Sequence, residues 1–134
     1  MSVAVGVVLA LIVGGMATVV GLDRDRALYP VVMIVIASLY ALFAVMGGST
    51  QVLIIESVVA AAFIGLALAG FKSTLWLVVA ALGVHGVFDF GHPYFYANPG
   101  VPVWWPSFCL AYDVVAAAYL AWMLASKKVR ARAA

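Results

Sequence analysis

Five apolar stretches of about twenty residues each take up most of this 134-residue chain: roughly 2–21, 29–47, 50–70, 73–91 and 107–126. A helix rises about 1.5 Å per residue, so each stretch can cover a hydrocarbon core of ~30 Å. Backbone N–H and C=O groups find no water in such a core, and a helix pairs them all within its own segment. The breaks "LDRDRALYP", "GGST" and "FKST" are short, which makes successive helices antiparallel. The expected fold is all-α: an integral membrane bundle of five transmembrane helices, one domain over 1–134, with one long loop at 92–106. Composition excludes the soluble alternative. The chain is 68% hydrophobic and 9% charged, where soluble domains have about 45–50% apolar and about 25% charged residues.

Charge placement orients the bundle. Arg24 and Arg26 follow the first span, Lys72 the third, and Lys127, Lys128, Arg130 and Arg132 the fifth. In an antiparallel bundle these positions share one side, which the positive-inside rule makes cytoplasmic. The N-terminus and the 92–106 loop then face outward, and the chain belongs in the cell's inner membrane as a multi-pass protein. The first stretch lacks a basic n-region and reads as a retained span, not a signal peptide. No basic patch with interleaved aromatics supports nucleic-acid binding. One cysteine, Cys109, excludes an internal disulfide. Ala61, Gly65 and Ala69 form a small-xxx-small row, read as ordinary internal packing although such rows also join helices of different chains. A homo-oligomer is left open.

Asp23 and Asp25 sit beside arginines and read as ordinary loop acids, whereas the other three of the five acids, Glu56, Asp89 and Asp113, fall inside apolar stretches. An ionisable group at depth costs at least a few kcal/mol unless paired, hydrated or neutral. Counted from the outer ends of their helices, Glu56, His85 and Asp113 all lie roughly 9 Å down, with Asp89 roughly 3 Å down. His85, Asp89 and His92 stand at i, i+4 and i+7, one face of a helix. Cys109 and Asp113 are likewise i and i+4. The stretch "HGVFDFGHPYFYANPGVPVWWP" thus reads as the wall and roof of one outward-opening site. Pro93, Pro99, Pro102 and Pro106 restrict the roof's backbone. Trp104 and Trp105 suit the membrane interface, and Tyr40, Tyr119, Trp76 and Trp122 read as packing or interface residues.

The pattern H-x3-D-x2-H-x-Y-x3-N-P-x2-P followed by C-x3-D, carried by His85, Asp89, His92, Asn98, Pro99, Pro102, Cys109 and Asp113, resembles a family of small bacterial integral membrane proteins of unknown function. The resemblance covers roughly the last third of the chain. It implies that the stretch and Asp113 belong to one unit and supplies no reaction.

The residue types support three functional classes. In the first, a membrane-embedded enzyme acts on a lipophilic small molecule drawn from the bilayer, with His85, Asp89, Asp113 and Glu56 as catalytic candidates. Tyr94, Asn98, Tyr112 and Cys109 are the substrate-binding candidates. His and carboxylate groups suit Zn, Fe or Mn, so His85, Asp89, His92 and Asp113 are candidate ligands of a divalent metal that activates water. Without metal, the same groups could run acid–base chemistry of the isomerase or cyclase kind. The second class is a proton-coupled transporter or channel subunit, since intramembrane acids and histidines mark proton relays; here the inner half offers only small hydroxyls such as Thr18 and Ser38. The third is a non-catalytic accessory protein whose acids and histidines form a buried polar network.

Overall fold

The computed structural model describes residues 1–134 and is all-helical. Its five helices are α1 (Ser2–Val20), α2 (Leu28–Met46), α3 (Thr50–Lys72), α4 (Trp76–Phe95) and α5 (Trp105–Ala125). Of these, α1, α2, α3 and α5 are long and apolar enough to cross a membrane; α4 is twenty residues long and carries His85, Asp89 and His92. Large apolar side chains such as Val3, Ile12, Val35, Ile54, Val58 and Val87 point outward all round the bundle. So much exposed apolar surface is what a lipid solvent tolerates and water does not.

Local chemistry sets the helix ends. Gly21, at φ 89°, closes α1 in the left-handed conformation and donates its N–H to Ala17 O, the usual glycine termination. Ser49 caps α3 by accepting from the Val52 N–H at 3.3 Å. Pro106 stands in the first turn of α5, where no intrahelical donor is lost. Pro93, expected in the loop, lies instead within α4. A proline so near a helix end forfeits one bond and leaves little helix beyond it to disrupt. The helix therefore continues through His92 to Phe95, and the outer loop shortens to 96–104.

Helix α4 packs on α5, α5 on α1, and α2 on α3, with α3 and α2 also touching α4. Although α1 precedes α2 in sequence, its main neighbour is α5. The Cβ that Gly6 lacks would lie 3.1 Å from Ala111 Cβ and press on Phe108 O, so α1 and α5 approach closely. The apolar core, with Met33, Val78, Leu82, Leu120 and Met123 at its centre, occupies the half of the bundle near the basic residues. On α3, Glu56, Ala60, Phe63, Ala67 and Gly70 face inward. Ala61, Gly65 and Ala69 are exposed on the other side, so the small row is not the internal packing surface expected; Phe63 fixes the buried face.

The two ends of the bundle differ. At one end Arg26 is buried, and its guanidinium donates to Arg130 O at 2.6 Å, Phe71 O at 2.8 Å and Gly70 O at 3.4 Å. It caps the last carbonyls of α3 and ties down the C-terminal segment, which also pairs with Ser73 and Leu75. All the chain's Lys and Arg gather at this end. At the other end the 96–104 loop lies on the C-terminus of α2. A side chain at Gly100 would collide with Phe43 O, and Asn98 donates to Tyr40 O at 3.2 Å.

Candidate functional site

Position 86 decides how α4 meets α5. A Cβ on Gly86 would stand 3.0 Å from Asp113 Cβ and 3.3 Å from Leu110 O. The glycine lets the two backbones close in, and Asp113 reaches His85 across the gap. The His85 Nδ1 to Asp113 Oδ2 distance is 2.8 Å. One turn along α4, Asp89 Oδ2 is 3.3 Å from the same nitrogen. His85 is 2% exposed, and both aspartates are 0% exposed. Phe63 of α3 packs edge-to-face on the imidazole at 4.6 Å, and the buried Cys109 thiol stands beside Asp89.

Three carboxylate oxygens in this centre, both of Asp89 and Oδ1 of Asp113, make no well-formed hydrogen bond; Asp89 has only the shared His85 nitrogen at 3.3 Å and the Cys109 thiol beside it. Buried polar groups are nearly always paired, and a carboxylate left unpaired is among the most costly. Stability alone gives no reason to put two such groups together. They are suited to holding a proton or a cation.

Glu56 and His92, expected at the same centre, form a second unit. His92 Nε2 and Glu56 Oε1 are 2.7 Å apart. Asn98 Nδ2 donates to Glu56 Oε1 at 2.8 Å, and the Tyr96 hydroxyl donates to Oε2 at 2.9 Å. Asn98 Oδ1 accepts from the Gly100 N–H at 3.2 Å. Both oxygens of Glu56 are thus engaged, and the unit clamps the loop to α2 and α3. Burial and the adjacent carboxylate push the Tyr96 phenol well above its ordinary value. His92 lies about 10 Å of helix rise beyond His85 and turns to Glu56 on α3, so the four-ligand set His85, Asp89, His92 and Asp113 does not assemble. A group of three does: His85, Asp89 and Asp113 each offer one ligand atom within 4.8 Å of the others.

The common cavity under the loop is also divided. Beneath the loop, a cavity of about 300 Å³ is lined by His92, Tyr96, Asn98 and four prolines. A separate apolar crevice of about 330 Å³ opens sideways between α1 and α2, with α5 as its floor. Leu9, Val31, Val35, Leu39 and Phe108 line it, and Asp113 is its one charged residue. Its volume is at the lower end of the range for small-molecule sites, about 300–1,000 Å³. Tyr112 and Cys109 line this crevice beside Asp113. Tyr94 does not join either unit: it is 84% exposed and faces outward.

Two features were missed in the sequence. Tyr40 on α2, read as packing, lies 4.5 Å from the His92 ring, with its hydroxyl buried and unpartnered. Its place roughly 10 Å from the outer end of α2 puts it in the same layer as the acids, which was the available signal. Asp23, taken as an ordinary loop acid, is buried near the basic end. It accepts from Thr18 Oγ1 at 2.6 Å, and Thr18 Oγ1 lies 2.9 Å from the Tyr119 hydroxyl. Comparison of the chain with protein-family models, with curated proteins and with solved structures gave no match.

Proposed function

We propose that the chain is a small membrane-embedded enzyme that acts on a lipophilic molecule through His85, Asp89 and Asp113. In this reading it crosses the cell's inner membrane five times, with the N-terminus and the 96–104 loop outside and the basic end cytoplasmic. We also hold it to be a member of the small bacterial membrane family that its His85–Asp113 pattern resembles. The observation that carries the reading is the pair of fully buried aspartates with unpartnered oxygens, one of them in the wall of an apolar crevice. A lipid chain entering between α1 and α2 would bring its polar end to Asp113. His85, held 2.8 Å from the far oxygen of that carboxylate, would take up or return a proton. Metal-assisted hydrolysis and acid–base isomerisation or cyclisation both fit this arrangement. Glu56 is a positioning residue here, since all of its hydrogen bonds go to His92, Tyr96 and Asn98. Lipid profiles of cells producing the wild type, compared with cells producing Asp113→Asn at equal level, test the proposal. It expects at least one lipid species to be depleted or to accumulate only with the wild type. Identical profiles would count against it.

The transport reading gains one observation of its own. The Thr18–Asp23–Tyr119 group gives the inner half a half-buried polar cluster around the buried Asp23, with the unpartnered Tyr29 hydroxyl buried in the same half. Proton uptake by protein-loaded liposomes, abolished by both Asp113→Asn and Asp23→Asn, would favour that reading over the enzymatic one.

A further inference from the structure

We propose that His85 Nδ1 and the carboxylates of Asp89 and Asp113 bind one divalent first-row transition ion, with zinc the best fit. This supplies a cofactor to the reading above, but it rests on geometry and charge and does not require turnover.

Charge is the first argument. The polar layer holds three carboxylates, Glu56, Asp89 and Asp113, while every Lys and Arg lies at the opposite end of the bundle. The Glu56 carboxylate is met by three side-chain donors from His92, Tyr96 and Asn98. Asp89 and Asp113 share one basic partner, His85, through one nitrogen, and the Cys109 thiol beside Asp89 brings no positive charge. A protonated imidazole balances one of these carboxylates and leaves the other bare in a medium where a bare charge is most costly. A divalent ion with a neutral imidazole balances both.

Geometry is the second argument. Ligand atoms around a tetrahedral ion with bonds of about 2.0–2.1 Å lie roughly 3.3 Å apart. The His85 Nδ1 to Asp89 Oδ2 separation is 3.3 Å, and the Nδ1 to Asp113 Oδ2 separation is 2.8 Å. Side-chain shifts of about half an ångström convert the second distance to the first, and the carboxylate–carboxylate edge, within 4.8 Å, must settle toward the same value. The three unpartnered oxygens leave capacity for either carboxylate to bind through one atom or two. Asp113 also lines the crevice, so an ion held there would lie directly behind the crevice wall. Three protein ligands with one open position is the arrangement of catalytic zinc sites. One imidazole with two carboxylates also suits manganese or ferrous iron.

The test uses the full-length chain in detergent, stripped with a chelator and titrated with Zn²⁺ and, separately, Mn²⁺. One ion per chain is expected for at least one metal, retained by Cys109→Ala and His92→Gln. Affinity should fall by about 100-fold or more in Asp89→Asn and Asp113→Asn, as loss of a direct ligand exceeds the 10–100-fold effect of outer partners. A stoichiometry near zero with both metals overturns the proposal. So does unchanged affinity in both aspartate variants. Should an aspartate variant fail to fold, X-ray absorption on the zinc-loaded wild type decides. A shell of nitrogen and oxygen with one imidazole supports the site, and sulfur or two imidazoles overturns it. Lipid turnover by protein that takes up neither metal would overturn the metal site while leaving the enzyme reading intact. Stoichiometric metal in a protein that converts no lipid would do the reverse.

Discussion

Replacing Glu56 with alanine should destabilise the protein far more than replacing Asp113 with asparagine, although both positions are buried acids. Glu56 receives hydrogen bonds from His92, Asn98 and Tyr96. The Tyr96 hydroxyl is only partly buried and can turn toward water under the loop. The His92 and Asn98 donors are buried, and each costs about 1–3 kcal/mol when left unmet. Breaking a buried charged pair from one side costs ~3–5 kcal/mol overall. In a chain of 134 residues, one kcal/mol moves Tm by about 3–4 °C, so Glu56→Ala should lower Tm by roughly 10–20 °C. Asp113→Asn keeps an oxygen to accept from His85 and removes a charge whose second oxygen has no partner. Its Tm should move by less than about 3 °C or rise, as expected where a working site is held at the expense of stability. Thermal unfolding of both variants in one detergent, followed by tryptophan fluorescence, gives the comparison. A loss in Asp113→Asn as large as in Glu56→Ala would refute the division into a structural clamp and a working centre, and would favour the accessory reading.

Other consequences are open to measurement. Zinc at about 100 times its Kd should stabilise the wild type by ~2.7 kcal/mol and leave Asp89→Asn unmoved; equal shifts in both would point to binding elsewhere. Filling the crevice with Leu39→Trp should lower lipid turnover at least tenfold with metal content intact, and unchanged turnover would remove the crevice from the substrate's path. The raised Tyr96 phenol keeps its proton in the folded state where the unfolded chain loses it. Stability should therefore fall as pH rises above about 10, by less than the full linkage slope because the hydroxyl is only partly buried, and Tyr96→Phe should show a shallower alkaline slope. A cysteine placed at the exposed Val103 of the same loop should be labelled from outside intact cells while a reporter after Ala134 reports cytoplasm; the opposite result would invert the orientation.

The five helices were legible because each must satisfy its own backbone, and the apolar length that this needs stands in the sequence without help from tertiary contacts. Convergence of His85, Asp89 and Asp113 was legible for a related reason: helical spacing and depth along a span are one-dimensional quantities. What failed were inferences that depend on helix neighbours and helix ends. Nothing in the sequence says that α1 leaves α2 for α5, so although a lipid drawn sideways from the bilayer was expected, a crevice between α1 and α2 was not, and the site's opening was expected beneath the loop. Pro93 read as a stop signal, yet a proline two residues from the end costs the helix little. His92 shares a helix face with His85 but stands about 10 Å farther along α4, where Glu56 takes it up, and one expected centre becomes two units. Tyr40 and Asp23 were passed over because one was counted as an aromatic and the other as a loop charge, before burial could be known.

The central claim is that His85, Asp89 and Asp113 perform chemistry on a lipid. Its most direct test reconstitutes the purified protein in liposomes made from a bacterial membrane lipid extract, supplied with zinc or manganese, and follows all lipid masses over time. The account predicts a product that grows with protein amount for the wild type and for Tyr94→Phe and is lost in Asp113→Asn. Time courses that coincide for the wild type and Asp113→Asn, with both proteins folded, would contradict it.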